Sequence, residues 1–596
     1  MNIGSRQSRA GVIVLKKNLR RDKDTGATSA SDIHSADAFL SFFDDKVRSV
    51  RSSTDGRPPA DVRVVTGALL SGLQTCTEDD VRRIIIESPT KSCTLDPIPT
   101  FLLKESIEAL LPFMTAMINA SLREGCLPVT QKHALVSPLL KKTSLDPNEM
   151  KNYRPVSNLT FVSKVVERIV VKQLVDFLQS NSLMPRLQSA YRRHHSTETA
   201  LLRVLSDFYA AADGQRVTLL GLLDLSAAFD CVDHDILVRR LQSSFGINGS
   251  ALAWISSFLD GRTQQVCYNG RLSIISFLLF GVPQGSVLGP LLYLLYTADL
   301  FGIIADCGLV GHSYADDTQV YVSASAADAS VAAQRLADCV ERIDQWMGSN
   351  RLRLNQDKTQ IIWIGTRQQL SRVNVTELML STAAVSLSST VSDLGVLIDG
   401  QLNMSDHVAS VCRSCYFQLR QLRQIKGSLT SDAIKTLVHA FISSRLDYCN
   451  SLLVGVSEDV LRKLQLIQNA AARLVTGTRK FDHISPVLRD LHWLPIRKRI
   501  TYKVAMLVYK CLHGLAPSYL SDFCRPVSSV SGRQHLRSAA AGVLYVPRTK
   551  TLVGSRSFSV SGPVIWNSLP TEVRLLELSV ASFANRLKSY LFNLPL

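Results

Sequence analysis

Two adjacent aspartates, Asp316 and Asp317, are the residues of this sequence whose type and spacing best suit metal-dependent chemistry. They stand between Tyr314 and the β-rich run 318–322. Because Asp is depleted in strands and favoured in tight turns, this pattern predicts two strands joined by a turn that carries the acids at its tip. Like charges side by side repel unless a cation neutralises them, and carboxylate oxygens are the ligands that magnesium prefers. Taken alone, such a pair is more often a solvated turn.

A third acid, Asp224, ends the continuous apolar run 217–223. Such a run is typical of a strand that is buried on both faces, and it would present Asp224 at the edge of a sheet. If the acidic turn folds back beside this strand, the carboxylates can hold two magnesium ions. A pair of ions suits phosphoryl transfer, because one ion activates an attacking hydroxyl and the other binds a triphosphate.

Glycines and a glutamine occur between the two acidic elements, in the segment 281–290 with the sequence Gly-Val-Pro-Gln-Gly-Ser-Val-Leu-Gly-Pro. Glycine lets the backbone approach a bound nucleotide closely. The Gln284 side chain offers hydrogen bonds at the same place. We therefore expect this segment to lie beside the nucleotide.

The three blocks 223–230, 281–290 and 314–317, in this order, resemble the reverse transcriptases of non-long-terminal-repeat (non-LTR, LINE-type) retrotransposons. The similarity covers roughly residue 96 to the C-terminus and includes the family-like stretches 152–158, 163–170, 355–359 and 566–570. It implies an RNA-directed DNA polymerase, a nucleotidyltransferase that extends a primer 3′-hydroxyl along an RNA template with deoxynucleoside triphosphates. Two Mg²⁺ ions, for which Mn²⁺ can substitute, are the implied cofactors, and the catalytic residues that bind them are Asp224, Asp316 and Asp317.

The resemblance also implies a role for two residues that follow the first acid. Phe229 takes the position of the aromatic steric gate, whose ring would crowd a ribose 2′-hydroxyl and so favour deoxynucleotides. An ordinary core phenylalanine is the alternative interpretation of Phe229. Asp230 follows the gate and is interpreted as a structural residue rather than a metal ligand.

Basic residues of the fingers are implied to clamp the triphosphate. Arg154 resembles one of them, because its planar fork can contact phosphate oxygens at two points. Lys141, or its neighbour Lys142, resembles another, with an ordinary surface pair as the alternative. Lys358 resembles the lysine of a later family block, where a general acid could protonate pyrophosphate; a strand-edge lysine is the alternative.

Further contacts to nucleotide, template and primer are implied by the same resemblance. Gln284 and Gly285 resemble the element that packs under the incoming nucleotide and the template. The remaining template and primer contacts are Pro283 and Tyr314, with Leu394 and Gly395 in a primer-grip hairpin over 394–399.

The implied fold is α+β, a right-hand polymerase with fingers, an antiparallel palm sheet with helices on one face, and a helical C-terminal thumb. Locally, we expect a turn over 152–157 and an amphipathic helix capped by Ser163. The predicted divisions are a flexible basic arm (1–78), a helical extension (79–130), fingers (131–215), palm (216–400), thumb (401–480) and a C-terminal helical and basic region (481–596).

Composition agrees with a folded nucleic-acid enzyme. The 596 residues are 46% hydrophobic and carry a formal net charge of +17, which favours a polyanionic partner. We expect no membrane span, because the most apolar stretch, 287–298, is too short. The twelve cysteines have no framework spacing, so reduced thiols inside a cell are expected, and Cys412 and Cys415 fall in a helical pattern that disfavours zinc. The family's habit of priming on chromosomal DNA implies a nuclear location.

Departures from the family pattern leave alternatives open. The residues before 79 are too few and too polar for the upstream endonuclease that such proteins usually carry, so we expect a truncated element or a partial gene. A catalytically silent RNA-binding remnant is the main alternative function. An RNA-dependent RNA polymerase or a nucleotide cyclase is disfavoured by the block 283–285 and by Phe229. The sequence does not determine the oligomeric state.

Overall fold

The computed structural model describes residues 34–64, 67–142, 144–380, 383–532 and 542–594. Strands and helices alternate over the first two thirds of these residues, and helices dominate the remainder. In chain order the strands are β1 (His133–Leu140), β2 (Tyr153–Asn158), β3 (Val217–Leu223), β4 (Thr263–Tyr268), β5 (Arg271–Leu272), β6 (Ser276–Phe277), β7 (Val310–Tyr314), β8 (Asp317–Ala324), β9 (Gln360–Ile364), β10 (Glu377–Leu380), β11 (Ala383–Ser386), β12 (Thr390–Asp393) and β13 (Val396–Asp399).

The central sheet has the strand order β7-β8-β3-β9 and is antiparallel throughout. Strand β3 lies inside it, and its successive residues enter two different hydrophobic cores: Leu219 joins one and Leu220 the other. This alternation follows from the period-two geometry of a strand, and it explains why the run is apolar without a break. Helix Ala329–Ser349 contributes Leu336 to the first core, and helix Thr197–Asp213 contributes Phe208 to the second. The prediction of helices on one face of this sheet is therefore wrong, because both faces are covered.

The outer sheet has the order β2-β1-β4-β5, with β6 paired to β4. Strands β1 and β4 are parallel, and the other pairs are antiparallel. The turn predicted over 152–157 is wrong, since β2 occupies this place. Pro155 favoured the turn interpretation, but β2 is an edge strand and Pro155 lies opposite Pro138, where a missing N–H is tolerated.

A helix over Ala36–Ser53 lies within the segment that we predicted to be a flexible arm, so that part of the prediction is wrong. Ser35 caps the helix by accepting a hydrogen bond from the Ala38 amide. Phe39 is completely buried and packs against the rings of Tyr153 and Tyr268 on the outer sheet. A few apolar residues at helical spacing thus outweigh a mostly polar composition. Residues 1–33 of the predicted arm lie outside the described residues.

Further helices surround the two sheets. Those before residue 400 include a pair, Thr100–Glu105 and Ile107–Glu124, that is interrupted at Ser106. The others in this part are Glu78–Glu87, Phe161–Ser180, His234–Phe245, Gly249–Leu259, Gly289–Tyr296, Leu300–Asp306 and Arg367–Leu370.

After the β12–β13 hairpin, the described chain is helical, with extended connections. Its apolar side chains pack into the core on one face of the central sheet, which holds Leu220 of β3. The helices are Ser405–Ile425, Ser431–Val438, Ser444–Asp447, Glu458–Thr476, Ile484–Asp490, Ile496–Leu512, Ser518–Ser521, Phe558–Asn567 and Val580–Asn593, with a π-helical stretch over His439–Ser443.

One stretch in the described part of the chain, Gly289–Asp306, is long and apolar enough by length and composition to cross a membrane. More than half of it is buried in the protein, and it consists of two helices separated by residues 297–299. Its burial is that of a core segment. Cys412 and Cys415 lie on helix Ser405–Ile425, and neither belongs to a group of three metal-ligating side chains in the described ranges.

Candidate active site

Strand register places the three acids together at one end of the central sheet. Strand β3 pairs Leu223 with Thr318 of β8, so Asp224 and Asp317 are the next residues along on the two neighbouring strands. Asp316 lies in the turn that joins β7 to β8, as predicted. The predicted strand–turn–strand unit is thus confirmed, and the folding of the turn beside β3 brings together acids that are almost a hundred residues apart in the sequence.

A buried glutamine holds the backbone of this turn. Ala315 has a φ of +61°, a left-handed conformation that residues with a Cβ rarely adopt. The Gln188 side chain accepts a hydrogen bond from the Ala315 amide (3.0 Å) and donates one to the Ala315 carbonyl (3.3 Å). Gln188 is 1% exposed and is followed by Ser189, whose amide donates to the carbonyl of Ser313. Sequence reasoning missed Gln188, because an uncharged residue far from the acidic turn carries no signal of this role.

Electrostatic repulsion couples the three carboxylates. The pKa of Asp316 is raised, first by burial and then by the negative charge of Asp224. The pKa of Asp317 is raised to about 6 by the loss of solvent around its carboxylate and by repulsion from Asp316 and Asp224. Lys358 opposes both shifts, and its Nζ lies 2.8 Å from an oxygen of Asp224. The three carboxylates therefore carry more negative charge than Lys358 alone neutralises.

This donor set fits divalent cations that are bound jointly with a substrate. Within the described ranges, no three His, Cys, Asp or Glu side chains are close enough to hold an ion by themselves. Magnesium commonly takes only one or two carboxylates and completes its shell with water and substrate phosphates. Asp224 and Asp316 repel each other at the end of the sheet, and they are the carboxylates that would bind the magnesium ions.

A cavity of about 640 Å³ opens beside the acids. Basic, aromatic and amide side chains from several elements line it together with Asp316. Lys142 is not among the lining residues, so of the two neighbouring lysines the structure favours Lys141. The predicted site residues that line the cavity are Asp316, Phe229, Pro283, Gln284, Arg154, Lys141 and Lys358.

Phe229 combines the two interpretations that the sequence left open. Its ring stacks on the completely buried ring of Tyr293, with centroids 4.3 Å apart, and it meets Tyr191 edge to face. Yet it is only half-buried and it lines the cavity that also contains Asp316. Packing beneath the ring thus fixes the face that Phe229 presents to the cavity.

The segment 281–290 is anchored through hydrogen bonds and close backbone contact. The side-chain amide of Gln284 donates a hydrogen bond to the Asp230 carboxylate (2.8 Å). The backbone carbonyl of Gln284 accepts one from the amide of Ser157 on β2. Gly285 has a φ of +142°, and a Cβ there would lie 2.2 Å from the Ser157 carbonyl oxygen. Asp230 therefore has a structural partner, and burial raises its pKa to about 6.

Glu167 is a second residue whose role sequence reasoning did not predict. It holds the backbone of the segment 281–290. It is completely buried and accepts hydrogen bonds from the amides of Val287 (2.6 Å) and Leu288 (3.0 Å). It also accepts one from the Ser163 hydroxyl. Ser163 does not cap the helix as predicted. Thr160 does, because the helix begins at Phe161, three residues before the predicted start. Burial raises the pKa of Glu167, and its hydrogen bonds oppose that shift.

The structure does not bring Leu394 and Gly395 into the cavity. They form the turn between β12 and β13, so the predicted hairpin is confirmed. The Tyr448 hydroxyl donates to the Leu394 carbonyl (2.6 Å), and Gly395 borders a second cavity of about 650 Å³. Tyr314 is half-buried on β7, opposite Asp317.

Comparison with known proteins agrees with this geometry. Residues 140–396 match the family model described as reverse transcriptase (RNA-dependent DNA polymerase). The chain is 26% identical over 476 residues, 78% of its length, to the probable RNA-directed DNA polymerase from transposon X-element of Drosophila melanogaster, and these residues are 51% of that protein. It is 26% identical to the corresponding protein from transposon BS and 24% identical to that from mobile element jockey, both of the same species, over 69% and 70% of this chain and 46% of each relative.

The chain thus spans about half the length of the curated relatives it matches. The matched segment contains the acidic residues, the gate position and the segment 281–290, and the relatives come from non-LTR retrotransposons. Residues 140–396 are thus the part of this chain that is similar to the reverse transcriptase family.

Proposed function

We propose that this chain is an RNA-directed DNA polymerase that extends a primer 3′-hydroxyl on an RNA template, as in retrotransposition. The observation that carries the proposal is the meeting of Asp224 and Asp316 at the end of the central sheet, beside a cavity that Phe229 and several basic residues line. This arrangement lies within the segment that is similar to the reverse transcriptase family. An acid cluster beside a basic cavity suits a substrate that brings phosphates and divalent cations together.

The residues divide the work by their chemistry. Arg154 and Lys141 bind the triphosphate and orient it, since positioning and charge stabilisation supply most of the catalysis in phosphoryl transfer. Phe229 excludes a ribose 2′-hydroxyl. Bound divalent cations would supply charge neutralisation and lower the pKa of the primer hydroxyl, and Asp224, Asp316 and Asp317 would hold them. Lys358 is paired with Asp224 in the free protein and, in this proposal, would donate a proton to pyrophosphate.

The same proposal assigns the parts of a right hand. The central sheet is the palm, the outer sheet belongs to the fingers, and the helices over 401–480 form the thumb. Strands β4 to β6 therefore belong to the fingers although they lie within the predicted palm segment 216–400. The β12–β13 hairpin, with Leu394 and Gly395 at its turn, is the primer grip. Pro283, Gln284, Gly285 and Tyr314 contact the nucleotide, the template and the primer, and the protein acts in the nucleus.

Primer extension on an RNA template with deoxynucleotides and Mg²⁺ tests this function. We expect the wild-type chain to extend the primer and Asp316→Asn not to, while both bind the primer–template equally, because phosphate contacts are spread over many basic residues. Asp306→Asn, an exposed acid at the end of a helix, is the matched control. Binding without extension by the folded wild type would replace the proposal with the silent RNA-binding remnant.

The gate role of Phe229 predicts a change in sugar selectivity. In Phe229→Ala, we expect the ratio of kcat/KM for deoxynucleotides to that for ribonucleotides to fall by at least about tenfold, because the ring no longer crowds the 2′-hydroxyl. The matched control is Tyr191→Ala, which removes the ring that contacts Phe229 edge to face. An unchanged ratio in Phe229→Ala would leave only the packing role against Tyr293.

A further inference from the structure

The N-terminal helix Ala36–Ser53 lies outside the segment 140–396 and yet forms part of the wall of the active-site cavity. Its first half is fixed to the outer sheet by Phe39, which is completely buried. Its last turn is fixed by Arg51, which pairs with Asp233 at 3.0 Å. The Arg51 guanidinium also lies 3.6 Å from the centre of the ring of Phe280, the residue before the segment 281–290. Both ends of the helix are therefore docked, and the residues between them have a defined position over the cavity.

Lys46 lies between these two anchors and lines the cavity. Three basic side chains from other elements line it as well: Lys141, Arg154 and Lys358. Lys46 is exposed and forms no ion pair within the described part of the chain, whereas Lys358 is already paired with Asp224. The positive charge of Lys46 helps to lower the pKa of Lys141, and it partly opposes the rise that burial causes in the pKa of Asp230.

With Arg48, five basic side chains line the cavity, against the three acids Asp44, Asp230 and Asp316. An anion with several charges would neutralise the excess positive charge. Arg154 and Lys141 approach from the outer sheet, and Lys358 approaches from the end of the central sheet. Lys46 comes from a third element, the helix Ala36–Ser53, which contacts the outer sheet at one end and Asp233 at the other. A chain of linked phosphates, rather than a single phosphate, matches a cavity whose cations stand on separate elements.

We propose that Lys46 is a further nucleotide-binding residue, which contacts the triphosphate of the incoming nucleotide from the N-terminal helix. The inference rests on the proposed function and deepens it, since it adds a contact from outside the family segment. It also gives the helix a role, because its two docked ends hold Lys46 at the wall of the cavity.

Binding of inorganic tripolyphosphate to the full chain, measured by calorimetry without primer or template, tests the contact directly. We expect Lys46→Gln to weaken binding about tenfold, as for the loss of one charge-assisted contact, and Lys46→Arg to retain it. Lys142→Gln is the matched control, because it removes one positive charge from an exposed neighbour of Lys141 that does not line the cavity. Equal weakening by Lys46→Gln and Lys142→Gln would overturn the inference in favour of a general charge effect.

Steady-state primer extension gives the second measurement. Lys46→Gln should raise KM for deoxynucleotides about tenfold with little change in the Kd for primer–template and in the melting temperature. If Lys46 serves only as a counter-charge for Asp230, KM will stay constant and the melting temperature will fall, which overturns the inference. If the wild type does not extend primers but Lys46→Gln still loses tripolyphosphate binding, the proposed function fails and the phosphate contact stands.

Discussion

Carboxylates with raised pKa values occur in two regions of the molecule, and their surroundings differ. At the end of the central sheet, Asp316 and Asp317 repel each other and Asp224, and Lys358 is the cation that opposes them. Behind the site, Glu167 accepts three hydrogen bonds from the protein, and Asp393 accepts two from the Gln319 side chain.

Burial is the first cause of the raised pKa in both regions, so the shift by itself does not identify a catalytic acid. The two regions differ in the hydrogen-bond donors that surround their carboxylates. The buried carboxylates find hydrogen-bond donors inside the fold, whereas the acids at the sheet end lie beside a cavity and have too few donors. Substitutions in the first region should therefore change activity, and substitutions in the second should change stability.

The largest effect is expected for Asp224→Asn. It should lower kcat for primer extension on the order of a thousandfold, because a charge that holds the cations is lost. The melting temperature should shift by no more than about 2 °C, since the ion pair with the exposed Lys358 is worth little. Asp306→Asn serves as the control. A large loss of stability in Asp224→Asn would show that this acid is structural, and it would contradict the proposed difference between the two regions.

Glu167→Ala should destabilise the fold by about 3 kcal/mol, measured by denaturant unfolding. The substitution leaves the amides of Val287 and Leu288 and the Ser163 hydroxyl without their acceptor in a buried place. Asp176→Ala removes an exposed carboxylate from the same helix and should change stability by less than about 0.5 kcal/mol. A stable Glu167→Ala variant that has lost only activity would contradict the structural assignment.

Gln188→Leu tests a residue between the two regions, because Gln188 is buried like the structural carboxylates but holds the turn that carries Asp316. We expect kcat to fall about tenfold, since the Ala315 backbone loses both hydrogen bonds and the turn shifts. Unfolding should cost about 1–2 kcal/mol less than in the wild type. Gln179→Leu, at an exposed position, is the control. Full activity in Gln188→Leu would show that the β7–β8 pairing alone fixes Asp316.

The smallest effect on activity is expected for Asp393→Asn, whose effect on stability depends on pH. The pKa of Asp393 is raised to about 7 in the fold, against about 4 in an unfolded chain. The native state therefore keeps a proton that the unfolded state releases, so this group's contribution to stability falls as pH rises from about 4 to about 7 and then levels off. The variant should be more stable than the wild type by up to about 4 kcal/mol at pH 8 and equal to it near pH 4. An equal pH dependence of the two melting temperatures would contradict the shift.

The sequence by itself determined the local elements that carry the acids. The apolar run 217–223 indicated a strand buried on both faces, and the Asp316–Asp317 pair between β-rich residues could be placed in a turn. The order of these blocks also indicated the family that residues 140–396 match. These features are local in sequence, and periodicity, turn chemistry and block order are sufficient to find them.

Tertiary structure decided which distant residues support the acids. Glu167 reaches the amides of 287 and 288, and Gln188 reaches Ala315, over separations of more than a hundred residues that no local pattern encodes. It also decided that Ala36–Ser53 docks over the cavity, because burial of Phe39 against Tyr153 and Tyr268 outweighs the polar character of that segment. Local pattern specifies strands and turns, whereas the partners of a buried polar group depend on which surfaces the folded chain brings into contact.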